Sequence, residues 1–264
     1  MVLPVPEGAE VEVKQDRIYK RADGRKLGMD VYLPADRKPG ARLPAVLFVH
    51  GGPIPDDLPV AAKDLGQYTS YGRLIASSGL AAVTFTNRFT STEMLPKAGE
   101  DVIDAVAYVR EHADELSVDS DRFCVWAVSA GSLFIAPMLR ERPAFLRCAV
   151  LYYGVMDPAA LEEVGMTGVP EFFVDEYDAT EAIAASEDTL PRLIVGRAGQ
   201  DRAPFNRALD RFVAAGLKAN APLDLMNHPE GQHAFDPLDD NERSPEIIRW
   251  TLEIVQSTLP TNRR

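Results

Sequence analysis

Two β-rich runs, Val11–Ala22 and Lys26–Leu33, flank the turn dipeptide Asp23-Gly24 and predict an antiparallel hairpin at a sheet edge. Residues 34–44 form a polar, proline-containing loop. The fully apolar run Ala45–Val49 then marks a strand buried on both faces, ending in His50-Gly51-Gly52-Pro53. Tyr68–Ser78 carries helical spacing at Tyr71, Leu74 and Ile75, with Gly79 at the place of a C-cap, and Leu80–Thr86 is the next strand. Glu100–Leu116 repeats apolar residues at Val102, Val106, Val109, Ala113 and Leu116, an amphipathic helix with acids in its first turn. A strand through Phe123–Val128 leads into a helical run Ser132–Arg140, where Pro137 predicts a kink or an early end. Leu146–Tyr153, Leu193–Val195 and Leu223–Met226 are further strands. Pro204–Ala215 is a helix, and a last helix starts at Ser244-Pro245 with apolar positions Ile247, Ile248, Leu252, Val255 and Leu259. Strands alternating with helices predict a doubly wound, mostly parallel sheet flanked by helices, whose chemistry belongs at the carboxyl ends of its strands.

One of those ends is distinctive. Ala127-Val128-Ser129-Ala130-Gly131 breaks an apolar strand abruptly into small residues, which a strand turning into a helix within two or three residues requires for steric reasons. Such a turn holds its serine in a strained conformation that projects the hydroxyl, and it aims the Ala130 amide at the place of a substrate carbonyl. Ser129 is therefore a candidate nucleophile. The alternative is a serine buried in an ordinary strand-to-helix turn, which only the rest of the chain can exclude.

Asp201 and His233 also follow strands directly, so Ser129, Asp201 and His233 gather at one edge of the sheet in the order Ser, Asp, His. The set makes chemical sense. A serine hydroxyl is a poor nucleophile at neutral pH; an imidazole must take its proton, and a carboxylate must fix the imidazole's tautomer and stabilise its cation. Taken singly, Asp201 also suits a turn or helix cap before Ala203-Pro204, and His233 a loop. Asp157, just after the strand ending at Tyr153, competes as the acid. His112 reads as a solvated helix residue, and His228, His233 and Asp236 lack the further ligands that a metal site needs, so no metal and no cofactor is expected.

Composition narrows the picture. The 264 residues suit a single large α/β domain, residues 1–264, that needs no disulfide or metal to hold its core. Both cysteines, Cys124 and Cys148, fall in apolar strands and read as inert buried thiols. Met1–Glu10 holds prolines and acids rather than a basic start and an apolar run, and no apolar stretch has membrane-spanning length. A cytoplasmic protein with no membrane partner is the expectation. The net charge of −12 argues against a nucleic-acid partner, because phosphate binding needs a clustered basic surface. Ten acids lie between Arg147 and Arg192, a span without lysine or arginine, which sets that segment apart.

The chain resembles the α/β-hydrolases, close to their dienelactone-hydrolase and esterase/prolyl-oligopeptidase-like branches. The resemblance is carried by His50-Gly51-Gly52, Ala127-Val128-Ser129-Ala130-Gly131, Gly199-Gln200-Asp201 and Gly231-Gln232-His233-Ala234-Phe235, and covers nearly the whole chain. It implies the α/β-hydrolase fold with Ser129 as nucleophile, His233 as general base and then acid, and Asp201 as orienting carboxylate. It also implies an oxyanion hole from Gly51, Gly52 and Ala130, with His50 as a structural loop residue. Three departures stand out. Ala127 replaces the first glycine of G-x-S-x-G. Pro53, which has no N–H, stands where many esterases have a third glycine. The nucleophile position is a serine, where dienelactone hydrolases proper have a cysteine.

Within that frame residues 155–190 read as a short acidic cap insertion over the site. Met166, Phe172, Phe173 and Tyr177 are candidates for a hydrophobic substrate pocket, or else simply pin the cap to the core. The acidic cap predicts a preference for neutral or cationic esters over anionic ones. The expected activity is a serine carboxylesterase acting on small-molecule esters. A peptidase or amidase with the same site, and a silent hydrolase fold used for binding, are the alternatives.

Overall fold

The structure is a computed structural model that describes residues 2–184 and 189–261. In chain order the strands are β1 Val11–Ala22, β2 Arg25–Pro34, β3 Leu43–Val49, β4 Ala81–Phe85, β5 Val118–Val128, β6 Leu146–Tyr152, β7 Arg192–Ala198 and β8 Leu223–His228. The helices are α1 Gly66–Ser77, α2 Leu95–Glu111, α3 Ala113–Leu116, α4 Ala136–Glu141, α5 Ala159–Glu163, α6 Glu171–Glu176, α7 Ala179–Ala184, α8 Ala203–Lys218, α9 Phe235–Leu238 and α10 Arg243–Thr258. The strands form one eight-stranded sheet in the order β1-β2-β4-β3-β5-β6-β7-β8. β2 runs antiparallel to both neighbours, and from β4 to β8 every pairing is parallel. This is the doubly wound, mostly parallel sheet that the strand pattern predicts.

Continuous apolar strands are explained by burial on both faces. Leu47, Val49, Val125, Ala127, Leu151 and Val195 face one core layer, with α2, α4 and α8. The alternate residues Val46, Phe48, Cys124, Trp126, Val150 and Ile194 face the other, with α1 and α10. On that second face Trp126 lies at the centre of an aromatic cluster, its ring 4.8 Å from Tyr71, 5.1 Å from Tyr152 and 5.4 Å from Phe48. Cys124 and Cys148 are free, fully buried and opposite one another in the β5/β6 register; burial pushes the Cys124 thiol well above its ordinary range.

Two elements differ from expectation. Ser129–Ile135 is a 3-10 turn, and the α-helix proper is only Ala136–Glu141. Pro137 therefore sits in the first turn of α4, where its missing N–H costs nothing, rather than kinking a longer helix. The helix expected over 100–116 starts earlier, at Leu95, and breaks at His112, whose ring stacks on Tyr108 at 4.0 Å.

Among the described residues between β6 and β7 the chain forms α5, α6 and α7, which pack against the first core layer. The expected cap spans 155–190; of it, residues 185–188, with Glu187 and Asp188, lie outside the described residues. Phe173 and Tyr177 stack at 4.0 Å and both meet Phe134 edge-on, while Phe134 in turn meets Phe89 at 5.6 Å. Gly99 on α2 makes room for this contact: a Cβ there would lie 2.4 Å from the Tyr177 hydroxyl. Among the described residues no helix is long and apolar enough to cross a membrane.

Candidate active site

Ser129 follows β5 directly and opens the 3-10 turn with φ +54, a left-handed conformation costly for a serine. The turn is compressed against the end of β3. A Cβ on Gly131 would sit 2.5 Å from the His50 carbonyl oxygen and 2.7 Å from that of Val49, and a Cβ on Gly51 would sit 2.8 Å from Ser129 Cβ. Two residues before the serine, Ala127 is fully buried among the first-layer apolar residues, opposite Val49 in the β3/β5 register. The carbonyl of Ser129 accepts a hydrogen bond from the Val155 N–H at 3.1 Å, which fastens the start of the inserted segment to the elbow.

The structure brings the three expected residues together. His233 Nε2 lies 2.7 Å from Ser129 Oγ, and His233 Nδ1 lies 2.7 Å from Asp201 Oδ2. With the carboxylate on Nδ1, that nitrogen carries the proton and Nε2 accepts from the serine hydroxyl. Asp201 is anchored by the Arg202 N–H, which donates to Oδ1 at 2.7 Å, and its side chain is 1% exposed. The loops after β7 and β8 are joined by Gly199 N–H to His228 O and by Gln200 N–H to Gly231 O, each 2.8 Å. Gly199 permits that approach, since a Cβ there would lie 2.4 Å from the Pro229 carbonyl oxygen. The His233 ring packs between Tyr153 at 4.9 Å and Phe205 at 5.8 Å.

Asp157 is elsewhere engaged: its carboxylate pairs with Arg211 and accepts from the Ala159 N–H at 2.8 Å. His228 turns toward Asn241 and Ser244 at the start of α10. Among the described residues no three His, Cys, Asp or Glu side chains converge to hold a metal ion. His50 is 2% exposed, and burial holds its imidazole down to about 4, hence neutral; its Nδ1–H donates to Gly51 O at 2.7 Å and its Nε2 accepts from Asn87 N–H at 3.2 Å.

The three oxyanion candidates differ in their surroundings. The Gly51 N–H donates to the Tyr68 hydroxyl at 3.3 Å, so this amide is engaged within the protein. Gly52, packed against Phe89, and Ala130 remain as the candidate backbone donors. The four pocket candidates also separate. Phe173 has no exposed surface and Tyr177 is buried with it, both taken up in holding the segment to the core, so neither presents a wall to solvent. Phe172 is 60% exposed, and Met166 is half-buried.

Sequence reasoning missed a second layer. Behind His233, the buried Asp236 accepts hydrogen bonds from Tyr153 (2.6 Å, on Oδ1) and from Tyr71 and Gln67 (2.7 and 2.9 Å, both on Oδ2). A polar residue in the tight sequence Ala234-Phe235-Asp236-Pro237 was the only available signal.

Comparison with known proteins bears on the family and the fold. A profile described as BD-FAE matches residues 29–139, and one described as the prolyl oligopeptidase family matches residues 87–258. Dipeptidyl peptidase 8 from Homo sapiens is 23% identical over 255 residues, covering 88% of this chain and 27% of the relative. Dipeptidyl aminopeptidase BIII from Pseudoxanthomonas mexicana is 23% identical over 237 residues, covering 78% of this chain and 32% of the relative. The chain thus spans about a third or less of the length of these curated relatives. Among solved structures, the thermophilic esterase Est2 from Thermogutta terrifontis, propionate bound, superposes with a TM-score of 0.71 at 22% identity, covering 97% of this chain and 98% of that one. A bacterial heroin esterase gives 0.72 at 19% identity, covering 97% and 86%. The structural likenesses establish the α/β-hydrolase fold, and because the second profile matches more than half of the sequence, the chain belongs to the prolyl oligopeptidase family.

Proposed function

We infer that this chain is a serine hydrolase, a carboxylesterase that cleaves small neutral esters through an acyl-enzyme. The observation that carries the reading is the unbroken line of hydrogen bonds from Ser129 Oγ through the His233 imidazole to Asp201, 2.7 Å at each step. In this mechanism Ser129 Oγ attacks the ester carbonyl as its proton passes to His233 Nε2. The Gly52 and Ala130 amides face the developing oxyanion, and Asp201 stabilises the imidazolium. His233 then protonates the departing alcohol, and water, activated by the same imidazole, releases the acid.

Residues 1–264 act as one catalytic unit in this reading, with 155–190 as its cap and Met166 and Phe172 as the remaining candidates for contact with an apolar substrate group. The cap's charge is less uniform than its sequence suggests. Asp157 and Glu163 pair with Arg211 and Arg207 of α8, and Asp178 caps α7 through the Thr180 and Glu181 N–H groups. Glu162, Glu171, Asp175, Glu176 and Glu181 are exposed. Their field still disfavours anionic substrates within about 10 Å at 0.1 M salt. A cytoplasmic setting belongs to the same reading, supported by the free thiols of Cys124 and Cys148.

The dipeptidyl peptidase relatives favour one second reading, amide cleavage by the same residues. Nitrophenyl esters of increasing chain length, matched neutral and succinyl-type esters, and aminoacyl nitroanilides separate the possibilities. Ester turnover abolished in Ser129→Ala and faster on the neutral ester at low salt is the expected result. Equal ester turnover in the mutant refutes the mechanism, preferential nitroanilide cleavage reassigns it to a peptidase, and failure of a fluorophosphonate to label Ser129 marks a silent fold.

A further inference from the structure

Asp236 is a carboxylate with 0% exposure, three residues after His233, and no step of the proposed acyl transfer uses it. Its hydrogen-bond partners come from two separate elements. Tyr71 and Gln67 belong to α1, while Tyr153 follows β6. Gln67 also donates to the Tyr153 hydroxyl at 3.0 Å, closing the ring of contacts. Burial pushes the Asp236 carboxyl up from its ordinary range, while the bonds from Tyr153, Tyr71 and Gln67 draw it back. The groups facing it are Tyr71, Tyr68 and Gln67 from α1 and Tyr152 and Tyr153 from the end of β6, all uncharged near neutral pH, since burial pushes the four phenols up. No cation pairs with Asp236 among the described residues.

Two features make this cluster more than a buried polar contact. Tyr153 is held at φ +39 and Ala234 at φ +63, so the residue whose ring packs against the His233 imidazole and the residue right after His233 both occupy a disfavoured backbone region. Both strained residues adjoin Asp236, one through the Tyr153 hydrogen bond and one through the chain. The same helix that supplies Tyr71 and Gln67 supplies Tyr68, whose hydroxyl accepts from the Gly51 N–H on the oxyanion side.

Building on the triad reading, we propose that Asp236 is a positioning residue: through Tyr153 and the 234–236 turn it holds the His233 ring at hydrogen-bond distance from both Ser129 and Asp201, with α1 as the common brace. An amide at 236 is isosteric but reverses one bond: with its oxygen toward Tyr71 and Gln67, Nδ2 donates to the Tyr153 hydroxyl, whose own proton loses its acceptor.

The test is kcat and KM for nitrophenyl acetate, together with the rate of fluorophosphonate labelling and the thermal midpoint, for the wild type, Asp236→Asn, Tyr153→Phe and the double variant. The expected result is a fall in kcat and in labelling rate by about 10- to 100-fold in Asp236→Asn, since displacement of a catalytic group by about 1 Å costs rates of that order. KM stays within about twofold, and the double variant is no slower than the worse single one, as expected of residues acting as a unit. If Asp236→Asn does not fold, Tyr153→Phe alone decides: a fall in kcat at an unchanged thermal midpoint upholds the proposal. Singles that keep wild-type kcat while losing thermal stability, or losses that multiply in the double variant, overturn it. A wild type that neither turns over ester nor takes the label refutes the triad reading instead.

Discussion

Gly131→Ala tests the elbow most directly, because backbone atoms at the end of β3 leave no room for a methyl there. The new methyl would lie 2.5 Å from the His50 carbonyl oxygen, 2.7 Å from that of Val49 and 2.9 Å from the His50 carbonyl carbon, all backbone atoms of a strand end that cannot rotate away. To restore even a tight contact, β3 and the 3-10 turn must separate by about 0.5 Å or more, an overpacking that costs about 1–3 kcal/mol. For a chain of this size that is a fall in thermal midpoint of about 2–12 °C. The catalytic loss is larger, since the same displacement moves Ser129 Oγ relative to His233, and a misplacement approaching 1 Å costs about 100-fold in rate. Ala127→Gly is the control. Ala127 is a fully buried strand residue, so removing its methyl lowers stability by about 1 kcal/mol and leaves kcat within about threefold of wild type. The assays are nitrophenyl acetate kinetics and thermal unfolding on both variants. Wild-type kcat in Gly131→Ala, or an equal loss in Ala127→Gly, would refute the argument that close approach on the β3 side positions the nucleophile.

Two further outcomes follow from the core. His50 titrates at about 4 when folded and near 6.5 when unfolded, so its contribution is intact above about pH 6.5 and is lost as pH falls toward 4, by about 3 kcal/mol in all. Thermal midpoints measured from pH 7 to pH 4.5 should therefore fall less steeply in His50→Gln than in the wild type, and parallel curves would remove His50 as the cause. Phe173→Ala empties the stack between Tyr177 and Phe134 and should destabilise by about 3–5 kcal/mol. Limited proteolysis should then cut first between α5 and α7, and an unchanged cleavage pattern would show that other contacts hold the segment.

What was legible in the sequence was whatever repeats with a fixed period or obeys a local steric rule. The strands β3, β5 and β6 announce themselves because both faces are buried, and the three strand-end residues Ser129, Asp201 and His233 because parallel topology sends every carboxyl end to one edge. The first half of β5 was hidden by Asp119, Ser120, Asp121 and Arg122, polar at the sheet's wet end. The 3-10 turn after Ser129 passed for a helix because Leu133, Phe134 and Leu139 keep roughly helical spacing, while the contact of Gly131 with β3, which tightens the turn, joins residues far apart in sequence. The engagement of Gly51 by Tyr68 was unreadable for the same reason. Tyr68 and Tyr71 look like ordinary inward residues of an amphipathic helix, and nothing local says that their hydroxyls reach different loops.

The strain at the strand ends points the same way as the hydrogen bonds. Ser129, Tyr153 and Ala234, at φ +54, +39 and +63, surround one imidazole, and each disfavoured conformation costs about 1–3 kcal/mol. None is a glycine, so the backbone takes these angles because the surroundings impose them. At Ser129 the constraint is the contact with β3 and the Val155 N–H on its carbonyl; at Tyr153 it is the N–H bond to Gly196 O at 2.8 Å and the hydroxyl bond to Asp236. At Ala234 it is the burial of Phe235 between Tyr152 and Tyr153. These constraints come from the ends of the buried strands, from Val155 just after β6, and from α9, whose Asp236 is itself held by Tyr71 and Gln67 of α1. A site tensioned in this way keeps its nucleophile and base aligned before substrate arrives, which is what electrostatic and orientational catalysis require.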